Sequence, residues 1–225
     1  MLAVNLRFGA TFGVLLTIAN CGTWAAELPT KSDVYERTRR ASAWVIAHKD
    51  RKILKTGTGF LVSRARKLLI TNYHVVDTAT AYQDGIGVLF PFYQDSGAVA
   101  DPRHYFRFDR PIRGWIVAAD PQRDLAVIEL DVVPNDAAEL PLAPEGIQSG
   151  EPIYLVGNPG ASPRLWEYNE GTADAASFTK LTDGRSGREI QARLVSVTAR
   201  QPVRPGCSGG PAVNAARASW LASRQ

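Results

Sequence analysis

The stretch Pro205-Gly206-Cys207-Ser208-Gly209-Gly210-Pro211 constrains this chain more than any other. A serine among glycines can be a plain turn joining two strands, and taken alone the loop fits that reading too. It also fits acyl chemistry, which needs a hydroxyl held proud of the backbone and amide N–H groups aimed at a developing oxyanion. Gly206 has no side chain to block such a pocket, so its amide and that of Ser208 are the first candidate donors, with Cys207 as a third. Gly209 and Gly210 let the chain leave the bend through torsions that a β-carbon disfavours.

The catalytic reading requires a histidine and a carboxylate upstream. His74 closes the apolar run Leu68-Leu69-Ile70-Thr71-Asn72-Tyr73-His74, where a strand gives way to a turn and a side chain can project into a cleft. Fifty residues on, Asp124 opens Asp124-Leu125-Ala126-Val127-Ile128-Glu129-Leu130. A carboxylate at the mouth of a buried strand needs a partner. An imidazole N–H supplies one, and that bond leaves the other ring nitrogen free to take the serine proton. Asp120 and Asp131 are alternative carboxylates, but neither opens a buried strand. The order His74, Asp124, Ser208 is that of chymotrypsin-like proteases.

Five motifs in sequence carry a resemblance. They are Thr56-Gly57-Thr58-Gly59-Phe60-Leu61-Val62, Leu69-Ile70-Thr71-Asn72-Tyr73-His74-Val75-Val76, Asp124-Leu125-Ala126-Val127-Ile128, Gly157-Asn158-Pro159-Gly160 and Gly206-Cys207-Ser208-Gly209-Gly210-Pro211. Together they resemble trypsin-fold serine proteases, most of all the bacterial Deg/HtrA-type branch, over about residues 42–214. The resemblance implies an all-β fold of two six-stranded antiparallel barrels. It implies a catalytic triad of His74, Asp124 and Ser208, with protein or peptide substrates. It also places Pro202, six residues before the serine, at the floor of the first specificity pocket. A neutral floor implies small aliphatic residues before the cut, because a buried guanidinium there would lack a partner.

Residues 1–25 read as an export signal: Arg7, an apolar run over 8–19, and Thr23-Trp24-Ala25 as a small-x-small cleavage site. The implied destination is periplasmic or secreted, with an uncleaved membrane anchor as the alternative. Cleavage removes Cys21 and leaves Cys207 as the only thiol, so no disulfide framework can form. Residues 26–41 read as a linker and 42–225 as the protease domain, with barrels at about 42–133 and 150–225.

Of the remaining histidines, His48 sits beside a charged hairpin and His104 within residues 82–113, an expanded segment whose aromatics are expected to pack a long loop down. Lys49, Arg51, Lys52 and Lys55 read as solvated charge. Two cysteines and three histidines, none at ligand spacing, exclude a zinc site, and nothing cradles a phosphate, so no cofactor or metal is expected. A net charge of +4 without a basic stripe argues against nucleic acid.

Only 17 residues follow Ser208, too few for the strands that complete the second barrel in the family and wall its specificity pocket. The second barrel is therefore expected to be incomplete at the C-terminus, with no PDZ domain. A fragment or altered frame, an impaired protease, or a partner supplying the edge all fit. The reading is an exported serine endopeptidase. The alternative is a catalytically impaired remnant acting at most as a peptide-binding module.

Overall fold

Short β-branched and aromatic runs punctuated by Gly, Pro and Asp build a mostly β molecule. The computed structural model describes residues 29–49, 52–82, 85–95, 97–108, 110–141, 147–160, 162–182, 189–214 and 219–220. The export signal and Cys21 lie outside the described residues.

In chain order, α1 (Lys31–Ala41) leads into β1 (Ser42–Lys49), β2 (Lys52–Ser63) and β3 (Leu68–Thr71), followed by α2 (Tyr73–Tyr82) and β4 (Ile86–Leu89). Then come β5 (Tyr93–Gln94), β6 (Gly97–Ala98), α3 (Pro102–Phe108), β7 (Ile112–Asp120) and β8 (Leu125–Leu130). The second half holds β9 (Pro152–Gly157), β10 (Glu167–Thr182), β11 (Glu189–Ala199), β12 (Ala212–Asn214) and β13 (Ser219–Trp220).

The first six long strands close an antiparallel barrel in the order β1-β2-β3-β8-β7-β4. Closure brings inward-facing side chains close together, so small residues alternate with large ones. Val45, Leu61, Leu69, Val88, Ile128 and Leu130 fill the interior, each at most 1% exposed. Gly59 makes room for them, since a β-carbon there would stand 2.5 Å from Leu69 Cδ2 and 3.0 Å from Val45 Cγ2.

The second half is an open antiparallel sheet, β11-β10-β9-β12-β13. Two β units with the second one incomplete is the architecture expected from the sequence.

The segment read as a linker contains α1, a packed helix. The Thr30-Lys31-Ser32-Asp33 turn is its capping box: Thr30 Oγ1 accepts from Asp33 N at 3.2 Å, and Asp33 Oδ2 accepts from Thr30 N at 3.0 Å. Val34, Thr38 and Ala41 recur on one face and are buried. Val34 and Ala41 pack with Phe60 of β2, Leu140, Tyr154 of β9 and Val213 of β12, so α1 sits over the seam between the two β units.

Residues 90–108 are pinned by aromatics, as expected. Tyr105, fully buried, donates to Val99 O at 2.8 Å and accepts from Phe92 N at 3.0 Å and Trp166 Nε1 at 3.1 Å. His104 stacks on Phe92, ring centroids 5.2 Å apart, and His48 is half-buried at the end of β1.

Candidate active site

Asp124 and the 72–74 turn grip each other at both ends. Asp124 adopts φ +53°, left-handed space that Asp tolerates better than most residues. That kink presents its carbonyl to Tyr73 N at 3.1 Å and Asn72 Nδ2 at 2.8 Å. Its carboxylate then turns to the histidine, Oδ1 accepting from His74 N at 2.8 Å and Oδ2 meeting Nδ1 at 2.7 Å. A carboxylate only accepts, so Nδ1 is the donor here, and in the neutral imidazole Nε2 then keeps its lone pair. His74 lies in the first turn of α2, not at an open strand end, because Val75 and Val76 turn inward and bury their side chains in the barrel core.

Asp124 was expected at a buried position. Its side chain is 44% exposed and that of His74 51%. The charge is compensated by N–H donors rather than by removal from water, which suits a residue in the turn ahead of β8. Asp120 is committed elsewhere, to the Gln122 and Arg123 amides and the Arg123 guanidinium; hydrogen bonds from Arg123 hold its carboxyl below the usual carboxylate range.

One contact was not legible in advance. Lys55 was read as solvated charge, yet its ammonium donates to His74 O at 2.8 Å and to Asp77 Oδ1 at 2.7 Å. The Asp77 side chain is only 8% exposed. The histidine is thus held at its N–H and its ring by Asp124, and at its carbonyl by Lys55.

In the loop around Ser208, four successive carbonyls are held. Pro205 O accepts from Gly160 N at 2.9 Å, Gly206 O from Thr58 Oγ1 at 2.9 Å, Cys207 O from Gly210 N at 3.0 Å, and Ser208 O from Thr58 N at 2.8 Å. In a trans peptide the N–H points opposite to the carbonyl, so fixing each carbonyl fixes the following amide. Cys207 N is turned inward to Arg204 O at 3.2 Å, which removes it as an oxyanion donor. Among the described residues, Gly206 N and Ser208 N donate to no protein acceptor.

The loop needs its glycines. Gly206 has φ +100°, and a β-carbon there would stand 2.4 Å from Gly160 N; Gly209 has φ +84°, and one there would stand 2.1 Å from Thr58 O. Cys207 is half-buried, and burial pushes its thiol pKa up, so near neutral pH it is a poor nucleophile. Among the described residues, Ser208 Oγ forms no hydrogen bond with His74. Such contacts are often long in a free enzyme and tighten around substrate.

Pro202 lines a cavity of about 70 Å³ between the loop and strands β9 and β10, together with Leu155, Tyr168, Val203 and Glu167. Neither Ser208 nor His74 borders it. The neutral floor expected from Pro202 is accompanied by a carboxylate, Glu167, which arrives from β10 and so was invisible in the local sequence.

This arrangement of a barrel-borne His–Asp pair and a Gly-flanked serine on a second β unit is that of trypsin-like peptidases. The chain belongs to that family: the trypsin-like peptidase domain matches residues 57–221. Among solved structures it is similar to the active form of the Rv3671c protease from M. tuberculosis, at 20% identity and TM-score 0.63, covering 97% of this chain and 81% of that one. It is also similar to Deg5, at 19% identity and TM-score 0.58, covering 84% and 80%. The serine endoprotease from Yersinia pestis matches at 20% identity and TM-score 0.57, covering 85% and 55%. These neighbours share the fold of the Deg/HtrA-type branch that the motifs resembled. A comparison with curated proteins gave no match.

Proposed function

We propose that the chain is an exported serine endopeptidase working through an acyl-enzyme. The observation that carries this reading is the two-point contact of Asp124 with His74, at 2.7 and 2.8 Å, which leaves Nε2 as a base. Ser208 Oγ attacks the scissile carbonyl while its proton passes to His74 Nε2. Asp124 stabilises the imidazolium, and the unpartnered amides of Gly206 and Ser208 receive the oxyanion. Collapse of the tetrahedral intermediate breaks the C–N bond, and the leaving amine takes the proton from His74. Water, deprotonated by the same nitrogen, then releases the acyl group. Export rests on the apolar segment at 8–19 with its following small-x-small site.

The test is covalent labelling with a fluorophosphonate, located by mass spectrometry. Labelling confined to Ser208 and abolished in Ser208→Ala and His74→Ala supports the enzyme. A folded chain that stays unlabelled would leave the peptide-binding reading in its place.

A further inference from the structure

Of the four held carbonyls, two are held by a single residue outside the loop. Thr58 donates through its amide to Ser208 O and through its hydroxyl to Gly206 O. A hydroxyl has one proton to give, and here Gly206 O receives it. The lone pairs of Oγ1 face Asn158 N, which donates at 2.9 Å, so the direction of the proton is set. Thr58 O in turn accepts from Thr71 Oγ1 at 2.6 Å, and the residue is fully buried. Its hydroxyl therefore has one bonding pattern, and the bonds of the whole residue span both β units: β3 through its carbonyl on one side, the 158 turn and the Ser208 loop through its hydroxyl and amide on the other.

We infer that Thr58 is a positioning residue that anchors the two peptides flanking the one that carries Ser208 N–H. The inference rests on the serine-peptidase reading of the site. Holding Gly206 O turns the 206–207 peptide so that Cys207 N–H faces inward to Arg204 O. Holding Ser208 O fixes the peptide on the other side of the nucleophile. The 207–208 peptide between them carries Ser208 N–H; its own carbonyl, Cys207 O, accepts from Gly210 N at 3.0 Å, and Thr58 fixes the peptides at both of its ends. Gly206 N, on the 205–206 peptide, is set by the bond from Gly160 N to Pro205 O, and with these bonds in place Gly206 N and Ser208 N both face away from protein acceptors among the described residues, where a carbonyl oxygen can meet both. Through the same residue, the strand whose Lys55 holds His74 also holds the loop of Ser208.

The decisive variant is Thr58→Val in the full chain. Valine fills the same space and keeps the amide bond to Ser208 O, but removes the hydroxyl. The expected result is a fluorophosphonate rate at Ser208 at least tenfold lower. For a peptide ester, kcat falls in proportion while KM stays within about threefold, as for an interaction made only in the transition state. Thr58→Ser, which keeps the hydroxyl, recovers most of the loss. A second readout needs no turnover: in a Cys21→Ser background, iodoacetamide alkylation of Cys207 is faster in Thr58→Val, because the loop is less restrained.

A parent chain that is not labelled at Ser208 would overturn the enzyme reading and this inference with it. A labelled parent whose Thr58→Val form matches it in both labelling and Cys207 alkylation overturns the role of Thr58 alone. So does a folded Thr58→Ser chain labelled more than tenfold slower than the parent. That last comparison decides the matter even where the valine variant does not fold.

Discussion

Gly57 and Val75 touch where a side chain on Gly57 would have to be: a β-carbon there would stand 2.6 Å from both Val75 γ-carbons and 3.1 Å from Ser208 O. β2, the helix that carries His74, and the Ser208 loop converge on this point. Val75 is 2% exposed and has nowhere to retreat. Gly57→Ala is therefore expected to cost about 1–3 kcal/mol through overpacking. Melting followed by circular dichroism should show a midpoint several degrees lower; an unchanged midpoint would mean that the three elements separate more easily than their packing implies.

Asp124→Asn tests the histidine's orientation. The amide keeps an acceptor for His74 N but presents the wrong partner to Nδ1, favouring the tautomer without a free base at Nε2. A loss of about 10⁴-fold in kcat is expected, by analogy with the corresponding change in chymotrypsin-type enzymes. The thermal midpoint should move little, since the carbonyl of residue 124 still anchors the turn. Turnover within tenfold of the parent would remove Asp124 from the mechanism.

Cys207 abuts Ser208, but burial biases its half-buried thiol toward the protonated form. The pH profile of its alkylation should therefore lie at higher pH in the folded chain than in urea. The sign for stability follows. The folded state holds the proton to higher pH than the unfolded state, so this group's contribution is full below the unfolded pKa and declines as pH rises toward the folded value. Cys207→Ser should keep most of the peptidase activity. Complete loss with the fold intact would point to a thiol mechanism.

Lys55→Met removes the cation facing Asp77 and the donor to His74 O while keeping the aliphatic stem. A carboxylate only 8% exposed then loses the Lys55 cation, at a cost of about 2 kcal/mol. A double-mutant cycle with Asp77→Asn should give a coupling of about 0.5–3 kcal/mol. Additive effects would show that the pair is held by its surroundings rather than by mutual attraction.

The elements of the site differed in how far they could be read in advance. His74, Asp124 and Ser208 stood out because each sits in a local pattern, an apolar run or a glycine cluster, that is written in a few consecutive residues. Thr58 was visible only as one letter of a motif, because its partners lie 100 and 148 residues away. Lys55 looked like solvent-facing charge, since nothing near it announces a buried Asp77. At α1, the turn and the capping box use the same Thr-x-x-Asp hydrogen bonds, and only the spacing of Val34, Thr38 and Ala41 separates them. α2 was missed for another reason. Tyr73-His74-Val75-Val76 has the β-branched look of a strand end, and packing of Val75 and Val76 into the barrel overrides that preference.

The bond from Thr58 to Gly206 also carries a timing. By the logarithmic law of loop closure, joining residues 148 apart costs about 2 kcal/mol more chain entropy than the Thr71–Thr58 bond, whose partners are 13 apart. Every strand of the first barrel lies before residue 131, so a chain made from its N-terminus can close that barrel while the serine is still unsynthesised. The growing molecule then holds the His74–Asp124 pair before Ser208 exists. The proposed triad is complete only once residue 208 has been made, so on that reading the order of synthesis keeps an unfinished chain from cutting.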